Sequence, residues 1–505
     1  MGARTIQVCG TGSGVGKSVI VAGLCRIFLQ DGFKVAPFKA QNMSLNSFVT
    51  LEGGEIGRAQ ALQAAASGLK PSVDMNPILL KPSSDTGSQV IVRGKPVGNM
   101  SAMRYKNYKK KANIEVLRSF NRLKNNFEVI VLEGAGSPAE VNLKSHDIVN
   151  MKMARAAGAP VVLVGDIDKG GVFAWLIGTF ELLTKEERKM VKGFIINKFR
   201  GDKRLLKSGL DFLEKRTGVK VLGVIPYFRD IMIPEEDSVS LDLQSAAKDN
   251  PGKADSITIA VIKLPHISNF TDFDPLKNES DVNVSYISNK DELKDADLII
   301  IPGTKNVFWD LAWLKKSGLA DKILSAVRKR PSTMLIGICG GYQMLGRTIR
   351  DLHHLESKQR KINALGILPA ATVFEKEKVL TQVKAKEMKS GSEVSGYEIH
   401  HGRTKITKDC KPAFRICERQ GRAASGYDGA VSKNGRIWGT YIHGVFDSDA
   451  FRRGLINRLR IKKGLSAAHG SYFVGLDREL DKLAAILRKN LDMASVRKIL
   501  FGKAK

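Results

Sequence analysis

Two groups of residues in this chain have the types and spacing for chemistry, and the chemistries differ. The first is Gly10-Thr11-Gly12-Ser13-Gly14-Val15-Gly16-Lys17-Ser18. A glycine-rich turn between a strand and a helix presents backbone N–H groups to phosphate oxygens, and the helix N-terminus adds favourable partial charge. In such a loop Gly12, Gly14 and Gly16 shape the cradle, Lys17 reaches the terminal phosphates and Ser18 holds a Mg²⁺ ion. Thr11 stands where the usual pattern has its first glycine. The second group is Ile338-Cys339-Gly340-Gly341-Tyr342-Gln343, with Thr440-Tyr441-Ile442-His443-Gly444 about a hundred residues later. A cysteine on a tight turn at a helix N-terminus is primed as thiolate, and a histidine supplies its base. The N–H groups of Gly340 and of Gly303, in Ile301-Pro302-Gly303-Thr304, are placed to hold an oxyanion.

Elements able to position these groups are visible on both sides. Apolar strands at Thr5–Cys9, Lys34–Phe38, Phe127–Leu132, Pro160–Val164, Gly193–Ile196 and Val221–Ile225 alternate with helices such as Lys17–Gln30 and His146–Ala157. That alternation predicts a parallel sheet covered on both faces. Glu133 closes one strand and suits Mg²⁺. Asn197 closes another and could read an adenine edge. A second alternating unit runs from Ser256–Ile262 through Ala296–Ile301 and Met334–Ile338 to Ile437–His443. The expectation is an α/β protein of two doubly wound, mainly parallel-sheet domains. A phosphate-loop domain is expected over residues 1–235, a linker over 236–255, a second domain carrying the cysteine over 256–448 and a basic helical extension over 449–505.

At 505 residues the chain is long enough for several cores. No apolar run is long enough to span a bilayer, and no secretory signal opens it. Its cysteines (Cys9, Cys25, Cys339, Cys410 and Cys417) form no CxxC pair, which argues against a zinc site or a disulfide framework and suits a reducing cytoplasm. The net charge of +30 fits a basic surface or a polyanionic substrate. Nucleic-acid binding would rest on charge alone, since no recognition motif or aromatic-interleaved basic stripe accompanies it.

The cysteine unit resembles class I glutamine amidotransferase domains from Ile259 to about Phe446. That resemblance implies that Cys339 attacks the glutamine side-chain amide, with His443 as base. The family commonly follows its histidine with Pro and Glu, whereas here His443 is followed by Gly444-Val445. The third member is therefore open: a dyad, or a carboxylate from elsewhere such as Glu398. The loop at Lys17 resembles dethiobiotin synthetase-like enzymes, in which Lys39-Ala40-Gln41-Asn42-Met43-Ser44 occupies the substrate-positioning segment, so Lys39 and Asn42 are expected at substrate.

Together the halves resemble the cobyric acid synthase family. The resemblance rests on the Lys39–Asn46 segment, Leu132-Glu133-Gly134-Ala135-Gly136-Ser137-Pro138-Ala139-Glu140, His146-Asp147-Ile148-Val149-Asn150-Met151, Asp166–Phe173, Gly396-Tyr397-Glu398-Ile399-His400-His401-Gly402 and Gly439–Gly444. It implies ATP, Mg²⁺ and L-glutamine as reactants and cofactor, and a corrinoid polycarboxylate as the substrate amidated. Cobyrinic acid a,c-diamide synthase, with the same two modules, is the neighbouring reading. At Asp147 the resemblance implies a catalytic place, by Mg²⁺ coordination or intermediate orientation, ahead of the alternative that its position before an apolar helix makes it a cap.

Overall fold

The computed structural model describes residues 2–84, 87–228, 230–233, 255–468 and 475–502. The expected linker falls almost wholly outside them. The first parallel sheet has six strands, in the order Val221–Pro226, Val191–Phe199, Val161–Asp166, Arg4–Gly10, Val129–Glu133 and Val35–Phe38. Its central strands are buried along nearly their whole length, as expected when helices cover both faces. The helix α1, Lys17–Gln30, spans the residues its apolar periodicity predicts. The predicted helix His146–Ala157 is shorter: a 3-10 turn covers Lys144–His146 and the α-helix begins only at Met151, because the Asp147 carboxylate draws the intervening N–H groups into a turn.

The second sheet orders Val282–Ile287, Ile257–Ile262, Leu298–Ile301, Met334–Ile338, Ile437–Thr440 and Ala430–Val431. All its pairings are parallel except the last. In open sheets of this kind the loops beyond the strand C-termini form the sites, and here they carry Thr11–Ser18, Gly303, Cys339 and His443.

Mainly antiparallel structure joins the two halves. Between Phe38 and Ala102 the chain makes a four-stranded sheet, a short hairpin (Ser47–Val49 with Glu55–Gly57) and the helix α2, Arg58–Ala66. The second half adds a long ribbon of Ala370–Glu387 against Glu393–Ile406. Hairpin and ribbon meet: Gln382 donates to the Val49 carbonyl at 2.8 Å. Phe48, Val49, Leu380, Tyr397 and Ile399 form a small apolar cluster there. Beneath it Glu55, fully buried, is paired with Lys81 at 2.8 Å and with Lys378 from the ribbon.

The C-terminal helices divide between the halves. Helix Asp449–Lys462 anchors to the second half through Arg452, whose guanidinium meets Glu279 at 2.7 Å. Helix Leu476–Asn490 returns to the first half and lays Leu480, Leu483 and Leu487 on α1 in one shared core. Burial of each leucine is worth ~1.5–3 kcal/mol. Among the described residues no helix is long and apolar enough to cross a membrane.

Candidate active sites

The phosphate loop follows the strand Arg4–Gly10 and delivers Lys17 and Ser18 to the first turn of α1. Gly16, at φ +96°, lies in the left-handed region, and a Cβ there would sit 2.1 Å from Asn197 Nδ2. That close approach makes Asn197 a structural tie. Its Nδ2 donates to the Val15 carbonyl at 2.9 Å and fastens the strand Val191–Phe199 to the loop. The predicted strand end at Ile196 is thus extended to Phe199. Lys17 Nζ donates to the carbonyls of Gly12 (2.7 Å) and Gly136 (3.2 Å). A cavity of about 670 Å³ opens beside the loop, walled by Thr11–Ser13 on one side and by Ser137, Glu140, Lys169 and Trp175 on the others. The buried Thr11 hydroxyl has no hydrogen-bond partner among the described residues.

Glu133 is the centre of a buried network. Its Oε1 accepts from Ser18 Oγ at 2.8 Å and from Lys39 Nζ at 2.7 Å, while Oε2 accepts from Gln63 Nε2 at 2.5 Å. Ser18 and Glu133 therefore present a hydroxyl and a carboxylate side by side, a set of hard oxygen donors that fits Mg²⁺ completed by phosphate and water. Lys39 and Asn42, expected at substrate, lie buried behind this network and are not walls of the cavity; Asn42 Nδ2 donates to Gln60 Oε1 at 2.9 Å. The Asp147 carboxylate accepts from the N–H of Val149 and Asn150, each at 3.0 Å, and from that of Lys152 at 3.4 Å, while the N-cap position of the helix itself is Asn150.

In the second half, Cys339 sits between the strand Met334–Ile338 and the helix Gly340–Leu345 with φ +50° and ψ −106°, a conformation rare for a side-chain-bearing residue. The turn holds because Gly341 packs against the neighbouring strand: a Cβ there would meet the Ile301 carbonyl at 1.9 Å. The Gly340 N–H, first in its helix, has no intrahelical acceptor. Gly303 lies on the adjacent strand end, where a Cβ would stand 3.1 Å from His443 Cε1. Cys339, His443, Gly303 and Gly340 are thus brought together.

The carboxylate that meets His443 is Asp272, which no motif in the sequence singles out. His443 Nδ1 lies 2.6 Å from Asp272 Oδ2, and Asp272 Oδ1 accepts from the Gly444 N–H at 3.1 Å. Glu398 is committed elsewhere, to Arg419. Both His443 and Asp272 are almost wholly buried. Burial alone would lower the imidazolium pKa, but Asp272 and the facing Cys339 sulfur outweigh it and push it up to about 10. Asp272 belongs to the 3-10 turn Phe270–Phe273 just after the first strand of this half. Its signal in the sequence is a run, Asn269-Phe270-Thr271-Asp272-Phe273-Asp274, in which acidic side chains alternate with aromatic ones that the fold buries.

His400 and His401 fall on opposite faces of their strand, as alternation requires. His400 stacks on Tyr441 at 3.7 Å, and His401 is half-buried against the Glu375 carbonyl. No cluster of three or more metal-ligating side chains occurs among the described residues.

Residues 6–241 match the family described as CobQ/CobB/MinD/ParA nucleotide binding domain, and residues 258–451 match the CobB/CobQ-like glutamine amidotransferase domain. The chain is 51% identical over 98% of its length to a cobyric acid synthase of Clostridium botulinum (strain Loch Maree / Type A3), covering 99% of that protein. The chain belongs to the cobyric acid synthase family. A family member from Dehalococcoides mccartyi (strain ATCC BAA-2266 / KCTC 15142 / 195) is likewise 51% identical, with 99% of this chain and 98% of that one aligned. Family membership makes the two sites halves of one ATP-using, glutamine-hydrolysing amide ligase. It explains why a nucleotide loop and a nucleophilic cysteine share a chain.

Proposed function

We propose that this chain amidates the b, d, e and g carboxylates of adenosylcobyrinic acid a,c-diamide in cobalamin biosynthesis, using one ATP and one glutamine at each step. The observation that carries the reading is the joining, in one chain, of a phosphate loop beside an open cavity with a buried Cys339–His443–Asp272 constellation.

At the second site the Cys339 thiolate attacks the glutamine side-chain carbonyl. The oxyanion is held by the N–H groups of Gly340 and Gly303. His443, as imidazolium, gives its proton to the departing nitrogen, and ammonia leaves. Water then attacks the thioester, His443 takes a proton from it, and glutamate is released with Cys339 restored. Asp272 keeps the ring oriented and charged.

At the first site a substrate carboxylate oxygen attacks the γ-phosphorus of ATP and ADP departs, leaving an acyl phosphate. Ammonia attacks its carbonyl carbon, phosphate leaves and the amide forms. Lys17 balances charge on the transferring phosphoryl group. Ser18 and Glu133 would hold Mg²⁺, which when bound neutralises phosphate oxygens. Lys39 orients Glu133, Asn197 holds the loop, and Asp147 fixes the turn bordering the site. The corrinoid polycarboxylate enters the cavity beside Trp175. The reaction belongs in the cytoplasm, where its substrates are made.

The test is mass spectrometry of adenosylated cobyrinic acid a,c-diamide after incubation with MgATP and glutamine. Four added amides are expected. Cys339→Ala should lose them with glutamine and regain them with ammonium salt. ATP hydrolysis without any amidation would overturn the assignment. Activity on cobyrinic acid itself would favour a,c-diamide synthesis instead.

A further inference from the structure

One short helix touches both active sites. The helix α2 begins at Arg58, and five residues on, roughly 7–8 Å along its axis, it carries the Gln63 that binds Glu133. At its start Arg58 reaches across to the amidotransferase half. The guanidinium lies over the Phe48 and Tyr397 rings, 5.4 and 6.0 Å from their centroids, with Nη1 3.4 Å from the Tyr397 hydroxyl. Tyr397 in turn stacks on the His443 imidazole, centroids 5.4 Å apart and planes 17° off parallel. Their backbones exchange both hydrogen bonds, at 2.9 and 3.1 Å.

The ATP-binding half also touches the other side of His443. The Ser47 N–H donates to Asn269 Oδ1 at 2.9 Å. Asn269, at φ +53°, opens the 3-10 turn that presents Asp272.

The charges complete the picture. His443 is faced by Asp272 and Cys339, and the same pocket holds Asp274, Asp447 and the Tyr397 hydroxyl. Burial disfavours the Arg58 cation, yet Tyr397, Asp447, Asp272 and Asp274 together hold it above its ordinary pKa. Burial pushes Asp447 up to about 6, against the pull of Arg58 and Arg452. Arg58 is thus a cation that the ATP-binding half supplies to the pocket around the imidazole, where Arg452 of the other half also acts on Asp447.

We propose that Arg58 is a positioning residue for His443, acting through Tyr397, so that glutamine hydrolysis depends on a side chain of the docked ATP-binding half. The proposal rests on Cys339 and His443 acting as described above. Arg58 meets Phe48 and Tyr397 and takes no part in the phosphate-loop contacts described above. Its loss therefore affects glutaminase turnover and leaves ammonia-driven amidation alone.

The test uses the full-length chain with Arg58→Met and Arg58→Lys. Glutamate release is followed across pH, and amidation is followed with glutamine and with ammonium salt. For Arg58→Met the expected result is a fall in kcat for glutamate release of ~10–100-fold, the usual cost of a sub-ångström to ångström misplacement. KM for glutamine and ammonium-driven amidation should stay at wild-type values. The alkaline limb of the kcat/KM profile should move to higher pH, because removing a neighbouring cation favours the imidazolium. Arg58→Lys should recover part of the rate. Wild-type glutaminase in Arg58→Met would overturn the proposal, as would a parallel fall of the glutamine- and ammonium-driven rates. Cys339→Ala in the same series separates the two claims: if it retains glutaminase, the site assignment itself fails, whereas an inactive Cys339→Ala beside an unaffected Arg58→Met removes only the role of Arg58.

Discussion

Asp272 holds Nδ1 of His443 at 2.6 Å from a turn 171 residues earlier in the chain. The carboxylate that meets His443 therefore precedes Cys339 in the chain, rather than following the histidine. The carboxylate also accepts from the Gly444 N–H, so it fixes ring and backbone together.

Asp272→Asn should keep the geometry and remove the charge. The imidazolium pKa, about 10 with Asp272 present, should fall towards the ordinary histidine range. Glutamine-driven turnover should drop by two or more orders of magnitude, in line with the ~10⁴-fold loss seen when a triad carboxylate becomes an amide. Ammonium-driven amidation should persist. Steady-state rates with the two nitrogen donors check this.

The same pair gives a stability signature. His443 binds its proton more tightly folded than unfolded. Its contribution is fully present below the unfolded pKa of about 6.5 and is lost as pH rises towards about 10. Denaturant titrations across that window should show stability declining with pH, and Asp272→Asn should flatten the slope.

Glu133→Gln should act on the other half. An amide cannot accept from Ser18, Lys39 and Gln63 together and binds Mg²⁺ poorly. Amidation should be lost with ammonium as well as with glutamine, while glutamate release continues. Loss of glutamate release to the same degree would contradict a role confined to the ATP site.

Glu55→Gln should lower stability sharply. It leaves Lys81 and Lys378 buried without their carboxylate, and breaking a buried pair typically costs ~3–5 kcal/mol. The pKa of Glu55 is held well below the carboxylate range by Lys378 and Lys81 against the effect of burial. Its contribution is present above the unfolded value of about 4.3 and is lost as pH falls through the lower folded value. Thermal melts of the variant should show the loss at neutral pH.

Leu487→Ala tests the returning helix. Leu487 is fully buried and packs against Gly23 of α1. A cavity there should destabilise the ATP-binding half by ~2–5 kcal/mol, read as a lower denaturant midpoint with Cys339 chemistry intact.

Much of this molecule is legible along the chain because the information is local. Apolar strands such as Val129–Leu132 alternate with helices, and that alternation by itself predicts parallel sheets. The glycine loop ending in Lys17-Ser18 and the Cys339-Gly340-Gly341 turn are runs of consecutive residues whose backbone demands are written in their types. Family resemblance follows from the same runs. What sequence could not decide depends on which distant side chains meet. Asp272 was hidden because its partner is 171 residues away and its own neighbours look like an ordinary aromatic turn. Glu398, which the sequence offers as one possible third member beside His443, is taken by Arg419. Lys39 turns inward to Glu133, Asn197 donates to the phosphate loop, and Arg58 crosses to Tyr397. Burying a charge or an amide forces it to find a partner, and only the packed chain determines which partner is within reach.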